Sequence, residues 1–217
     1  MPVQKEPLDQ KYSKIYLVFD FIGKMLLLNL FFVVFSVIGL FIFGIGPSLC
    51  ACHLIAKDWQ NKDHPPMFRT MLQYFKKHFI SSNLVFYGFA VVLVAIGFNF
   101  SYFYLNFEQS FYRSLGLITN IVLFIYVWVA FMTIYRIKYD FDASWKESIK
   151  YSFTVVWGFS KYLSLMIMVH AILLALTYIM PQIFSFIIVG AYILMVDVVI
   201  KKMKIKMYGI NDEMEEQ

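Results

Sequence analysis

Cys50-Ala51-Cys52-His53 brings two thiols and an imidazole within four residues. Thiolates and imidazole are the ligands of zinc and copper sites. The spacing argues against a metal here. One residue separates the cysteines and none separates Cys52 from His53, which matches no standard zinc pattern. On a helix Cys50 and His53 share a face while Cys52 points elsewhere. The nearest other histidine, His64, is eleven residues on. Small cysteines buried on an apolar helix explain the run, so no metal and no cofactor are expected. Nor do two cysteines this close imply a disulfide framework.

The other candidates are polar groups inside long apolar stretches, where each costs several kcal/mol unless satisfied and is a functional hypothesis by default. Asp197 lies in Tyr192-Ile193-Leu194-Met195-Val196-Asp197-Val198, four residues before Lys201. An i,i+4 ion pair with Lys201 is its simplest reading, and ion or proton movement is the functional one. His170 is central in another apolar block and reads as a histidine hydrogen-bonded between helices. Asn29, Asn99 and Asn120 suit the same bridging role. No Walker A loop, nucleophile elbow or H-E-x-x-H motif appears, so no enzyme is expected. The one acidic cluster, Asp212, Glu213, Glu215 and Glu216, reads as a solvated tail.

The elements that must carry these residues are membrane helices. The chain of 217 residues is 60% hydrophobic and 15% charged, against about 45–50% and 25% for soluble domains. The apolar residues come in uncharged blocks near the ~20 residues needed to cross the hydrocarbon, where backbone groups must be satisfied internally. The predicted fold is all-α: a polytopic helical membrane bundle of five transmembrane helices with two or three amphipathic interfacial helices. Spans are expected at about 25–43, 83–105, 114–135, 162–180 and 182–200, within one transmembrane domain over 25–200. Residues 1–24 form a polar, weakly amphipathic segment, and 201–217 a basic then acidic tail. No signal peptide is read at the start, and the first span is expected to stay as an anchor. Met180-Pro181-Gln182 predicts a tight hairpin between the last two spans.

Gly44, Gly46 and Pro47 stop the first span, and a helix resumes over about 48–59. Two further amphipathic segments follow. Over 66–80, Met67, Phe68, Met71, Leu72, Phe75 and Phe79 oppose Arg69, Gln73, Lys76 and Lys77. Over 141–157, Phe141, Trp145, Ile149 and Phe153 oppose Lys146, Glu147 and Lys150. All three are expected in the membrane plane on the cytoplasmic face. With Lys57, Arg69, Lys76, Lys77, Lys146 and Lys150 they form a basic surface suited to anionic lipids. Five spans put fourteen Lys and Arg on one side and five on the other. That bias places the C-terminus in the cytoplasm and the N-terminus outside. A sixth crossing would need Ser48–Asp58 to span, and those residues reach only about 16 Å as a helix. Nucleic-acid binding explains the pI of about 9.0 less well, because the basic residues cluster beside spans.

The stretch from Asn29-Leu30 through Gly46-Pro47 to Lys57-Asp58-Trp59, then Phe68 and Tyr74-Phe75-Lys76-Lys77-His78-Phe79, resembles the YesL family of bacterial membrane proteins. The motifs cover about residues 25–85. Phe32, Ile38-Gly39 and His78 depart from its common Trp, Pro and Asn. The resemblance implies a multi-pass protein of the bacterial cell membrane, with no established activity. Family members often occur beside carbohydrate-uptake ABC transporters and two-component regulators. The expected function is therefore a non-enzymatic accessory or regulatory protein linked to carbohydrate uptake, contacting an ABC transporter or sensor membrane subunit. The alternative is a small transporter acting alone or as a dimer. The sequence is compatible with a homo-oligomer.

Overall fold

The computed structural model describes residues 7–60, 66–108, 110–158, 160–179 and 188–208, which form helices and, among themselves, no strand. In chain order these are α1 (Pro7–Ile38), α2 (Ile45–Gln60), α3 (Met67–Lys77), α4 (Phe79–Asn106), α5 (Phe111–Asp140), α6 (Trp145–Gly158), α7 (Ser160–Ile179) and α8 (Ile188–Tyr208). Among the described residues, three helical stretches are long and apolar enough to cross a membrane: Ile15–Ile38, Phe79–Asn106 and Phe111–Asp140. Their outward faces are themselves apolar, with Ile80, Leu84, Phe98 and Leu105 more than 70% exposed. A water-soluble fold does not present such a surface, whereas a bilayer covers it. The expected hairpin at Pro181 lies outside the described residues.

The first span begins earlier than its expected start at Met25. Ile15, Leu17, Val18, Phe19 and Ile22 carry α1 straight through the segment read as separate. Asp20 and Lys24 sit one turn apart and pair at 2.7 Å, which lets the helix hold both charges.

The break after α1 also comes earlier than Gly44, Gly46 and Pro47 suggested. The chain turns over residues 39–44, with Leu40 and Phe41 in left-handed backbone at φ 59° and 56°. Each such residue costs about 1–2 kcal/mol. A Cβ on Gly39 would overlap the Gly44 backbone, and one on Gly44 would overlap the Ser36 backbone in the last turns of α1. Asn83 Nδ2 donates to the Phe43 carbonyl at 2.8 Å and the Tyr87 hydroxyl to that of Ile42 at 2.7 Å. These bonds satisfy carbonyls that the turn releases. Gly46 and Pro47 fall in the first turn of α2, where proline is tolerated.

The largest correction concerns 48–59. The helix there, α2, does not lie on the membrane surface but forms the buried centre of the bundle. Every residue from Cys50 to Ala56 is at most 8% exposed, and α2 meets α1, α3, α4, α5 and α8. Its small residues, Gly46, Ser48, Cys50, Ala51, Cys52 and Ala56, are what allow this, since helices in lipid pack closest over small side chains.

The amphipathic stripe of α3 docks inward, with Met71 and Phe75 buried and Arg69, Gln73, Lys76 and Lys77 outside. Phe75 meets Phe35 at 5.4 Å and Phe79 at 5.5 Å. α6 packs on α5 through fully buried Ser148 and Ser152, leaving Lys146, Glu147 and Lys150 outward. It opens with a capping box: the Ser144 amide donates to Glu147 at 2.8 Å and the Glu147 amide to Ser144 Oγ at 3.3 Å. Two orphan amides are thereby satisfied reciprocally. Asn99 donates to Asn120 at 3.1 Å to join α4 and α5.

Candidate functional site

Two charged regions stand out, both built on the last turns of α5. The first is buried. Arg136 Nε pairs with Asp140 Oδ2 at 2.7 Å, one turn along the same helix, and Arg136 Nη1 pairs with Asp197 Oδ1 of α8 at 2.7 Å. All three side chains are 3% exposed. Lys57 of α2 adds a longer contact to Asp140 at 3.8 Å and donates to the Tyr139 carbonyl. Two cations and two carboxylates thus tie three helices together, and their charges balance. Buried ions persist only with such pairing.

The sequence expectations meet the structure differently in each case. Asp197 is buried as its setting implied, but the structure joins it to Arg136 of another helix rather than leaving it to Lys201 alone. Lys57, read as part of the basic surface, is partly buried against the cluster. From sequence alone Arg136 is one more of the fourteen cytoplasmic-side Lys and Arg, and Asp140 belongs to no motif. Their signal was an i,i+4 opposite-charge pair at the very end of an apolar block. Asn29 is 2% exposed and accepts the Val189 amide of α8 at 3.2 Å. His170 lies on α7, with a side chain outside the described residues.

The imidazole of His53 stacks on Tyr135 at 6.1 Å and is 2% exposed. Burial, and secondarily the Arg136 charge, pushes its pKa down from 6.5 to about 3. It is therefore neutral, and its Nδ1 has no hydrogen-bond partner among the described residues. Cys50 Sγ lies 3.2 Å from the Tyr139 hydroxyl, and burial pushes the thiol up to about 12. Cys52 donates to the Leu28 carbonyl at 3.5 Å. Thiols held protonated are poor nucleophiles and poor ligands. No three His, Cys, Asp or Glu among the described residues converge as a metal site.

The second region is an open cleft of about 580 Å³ between α2, the α3–α4 corner and the α5–α6 loop. Lys77, His78 and Lys138 line it with Tyr139, Asp142 and Trp145. Lys138 donates to the Ala143 carbonyl and sits over the rings of Tyr139 and Trp145 at 5.8 and 5.7 Å. The His78 ring meets Tyr139 at 5.1 Å. Burial, then Lys77 and Lys138, lowers its pKa. A further hollow of about 520 Å³ between α5, α7 and α8 is apolar, walled by Phe124, Trp128, Met132 and Tyr192, and offers no chemistry.

Residues 25–100 match the family model described as "Protein of unknown function, DUF624". That segment contains Asn29, α2, α3 and most of α4, but not Arg136, Asp140 or Asp197. Two proteins of Bacillus subtilis (strain 168), both described as uncharacterized, are similar to the chain. YteU is 36% identical over 70 residues, 32% of this chain and 30% of that protein. YesL is 24% identical over 134 residues, 60% of this chain and 61% of that protein. The chain thus spans less than two thirds of either relative. No solved structure matches it. The described residues are helical and of membrane type, residues 25–100 are similar to the DUF624 model, and the similarity to YesL bears out the resemblance carried by Asn29 to Phe79.

Proposed function

We propose that this chain is a non-enzymatic accessory or regulatory protein of the bacterial cell membrane. It crosses five times, through α1, α4, α5, α7 and α8, with its N-terminus outside and its C-terminus in the cytoplasm. The twenty residues of α7 give about 30 Å of helix, enough for the hydrocarbon core, and α8 supplies Ile188–Ile200 of the fifth span read over 182–200, with its lysines following at the cytoplasmic end. The basic faces of α3 and α6 then lie at the cytoplasmic surface, against anionic lipid and a partner's membrane subunit. The partner is a carbohydrate-uptake ABC transporter or a sensor, a link that rests on the YesL resemblance alone.

One observation carries the accessory role. The charges inside the bundle are matched and closely packed, while Arg69, Lys76, Lys77, Lys146 and Lys150 all face outward. Working surface is therefore on the basic face rather than along an internal path. Purification in mild detergent from cells grown on sugars that induce uptake systems tests this. A transporter or sensor subunit is expected to co-purify, and charge reversal at Lys76 and Lys146 to release it. Recovery of the protein alone, with no genetic interaction with sugar uptake, overturns the reading.

A second reading, a small transporter acting alone or as a dimer, is favoured by the ionic cluster, because ionisable groups inside membranes commonly mark substrate or ion pathways. It predicts solute or proton flux into proteoliposomes that Asp197→Asn abolishes. Absence of flux from folded protein overturns it.

A further inference from the structure

The cleft beside Lys138 has an electrostatic composition that the neighbouring cluster lacks. Lys77, His78 and Lys138 converge on it, and among the described residues lining it Asp142 is the one carboxylate. The other nearby acids are engaged elsewhere. Glu147 caps the Ser144 amide, Asp58 accepts the Tyr74 hydroxyl at 2.9 Å, and Asp140 is paired with Arg136. Lys138 is not a waving surface lysine. The Ala143 carbonyl takes one of its three N–H donors, and its ammonium lies over the Tyr139 and Trp145 rings. The remaining donors are thereby prepositioned. Ser144 adds a hydroxyl at the rim, and the hollow is open, so a ligand can enter without the bundle parting.

A compact anion with several acceptor oxygens fits this set: two ammonium groups, an imidazole that can donate an N–H, and a hydroxyl. Tyr139 and Trp145 add amphipathic rings of the kind that sit at headgroup level in membranes. Basic pockets between helices on the cytoplasmic side are also where anionic lipid headgroups are held.

We infer that this cleft is a phosphate-binding site, with Lys77, His78 and Lys138 as its ligands. Membrane placement is taken from the reading above. The sugar-uptake link plays no part.

The test uses the full chain, purified and placed in nanodiscs of phosphatidylcholine alone or with phosphatidylglycerol or cardiolipin. Retained lipid is measured by native mass spectrometry after mild extraction. A parallel arm titrates the detergent-solubilised protein with inorganic phosphate. Preferential retention of the anionic lipids identifies a headgroup as the source. Saturable binding of inorganic phosphate with no lipid preference identifies the free ion. Either result requires that Lys77→Gln and Lys138→Gln weaken binding, each by about fivefold if a lysine contributes its usual ~1 kcal/mol. Lys77 is exposed, so Lys77→Gln keeps the test valid if Lys138→Gln disturbs the loop. Binding of neither ligand, or binding indifferent to both substitutions, overturns the site. Partner co-purification is scored separately, so failure here is distinct from failure of the accessory role.

Discussion

Arg136 and Lys138 are two residues apart on α5, yet they serve opposite electrostatic settings. Two residues turn a helix by about 200°, so one side chain enters the bundle and the other faces the cleft. On the inner side, Arg136 meets Asp140 and Asp197, each at 2.7 Å, and charge is matched by charge. On the outer side, Lys138 shares a cleft with Lys77 and His78, and the described carboxylates around it are mostly engaged elsewhere. The difference separates charge used for assembly from charge left for a ligand. Matched buried charges fix how helices meet, because removing one strands another in a medium that solvates it poorly. An excess of one sign at an open surface leaves binding capacity.

The contrast yields a graded series of effects. The largest belongs to Arg136→Leu, which takes from Asp197 its 2.7 Å partner and leaves Asp140 with the longer Lys57 contact. Thermal unfolding in detergent is expected to show a loss of about 3–5 kcal/mol. Adding Asp197→Leu leaves Lys57 and Asp140 balanced, so the double variant is expected to recover part of that loss. Simple addition of the two single effects would break the claim that the cluster acts as a unit.

Next comes His53, beside the cluster. Its pKa falls from 6.5 to about 3 on folding, so the unfolded chain binds a proton between those values that the folded chain refuses. Stability should therefore decline as pH drops below 6.5, by at most about 1.4 kcal/mol per pH unit, and this contribution is flat above it. His53→Phe is expected to remove that part of the slope. An unchanged slope between pH 4 and 6.5 would show that His53 does not supply it.

Smaller still is Ser144→Ala, which removes one half of the capping box. It should lower stability by about 1 kcal/mol while leaving Lys138 in place. The smallest effect is that of Lys77→Gln, expected within about 0.5 kcal/mol as for ordinary surface positions. If it changes stability as much as Arg136→Leu does, the distinction between the two settings collapses.

Parts of this arrangement are legible from sequence. The long spans are, because an uncharged run near twenty residues has few other fates. Asp197 and Asn29 are flagged for the same reason, as polar groups in apolar runs. Their partners are not legible. Arg136 lies sixty-one positions from Asp197, and at the end of a span it looks like any topogenic charge. The role of α2 is hidden for another reason. Sixteen residues with Cys, His, Lys and Asp carry too little hydropathy to look buried. What buries them is the smallness of their side chains, a property that matters only once five neighbouring helices are present. α3 is legible because its two faces differ so sharply in polarity, although the docking of Phe75 on Phe35 depends on the turn at Leu40 and Phe41.

The seam between α1 and α8 has a consequence in time. Gly190 lies against the Met25 carbonyl, where a Cβ would overlap it, and Val189 reaches Asn29 across 160 residues of chain. At about 5–20 residues per second, translation needs on the order of ten seconds to deliver that second surface after the first has emerged. Through that interval α1 can sit in the bilayer and turn into α2, but the seam on α8 cannot close. A chain cut short before Ile188 never closes it. Closure of the seam thus waits on synthesis of the first turn of α8.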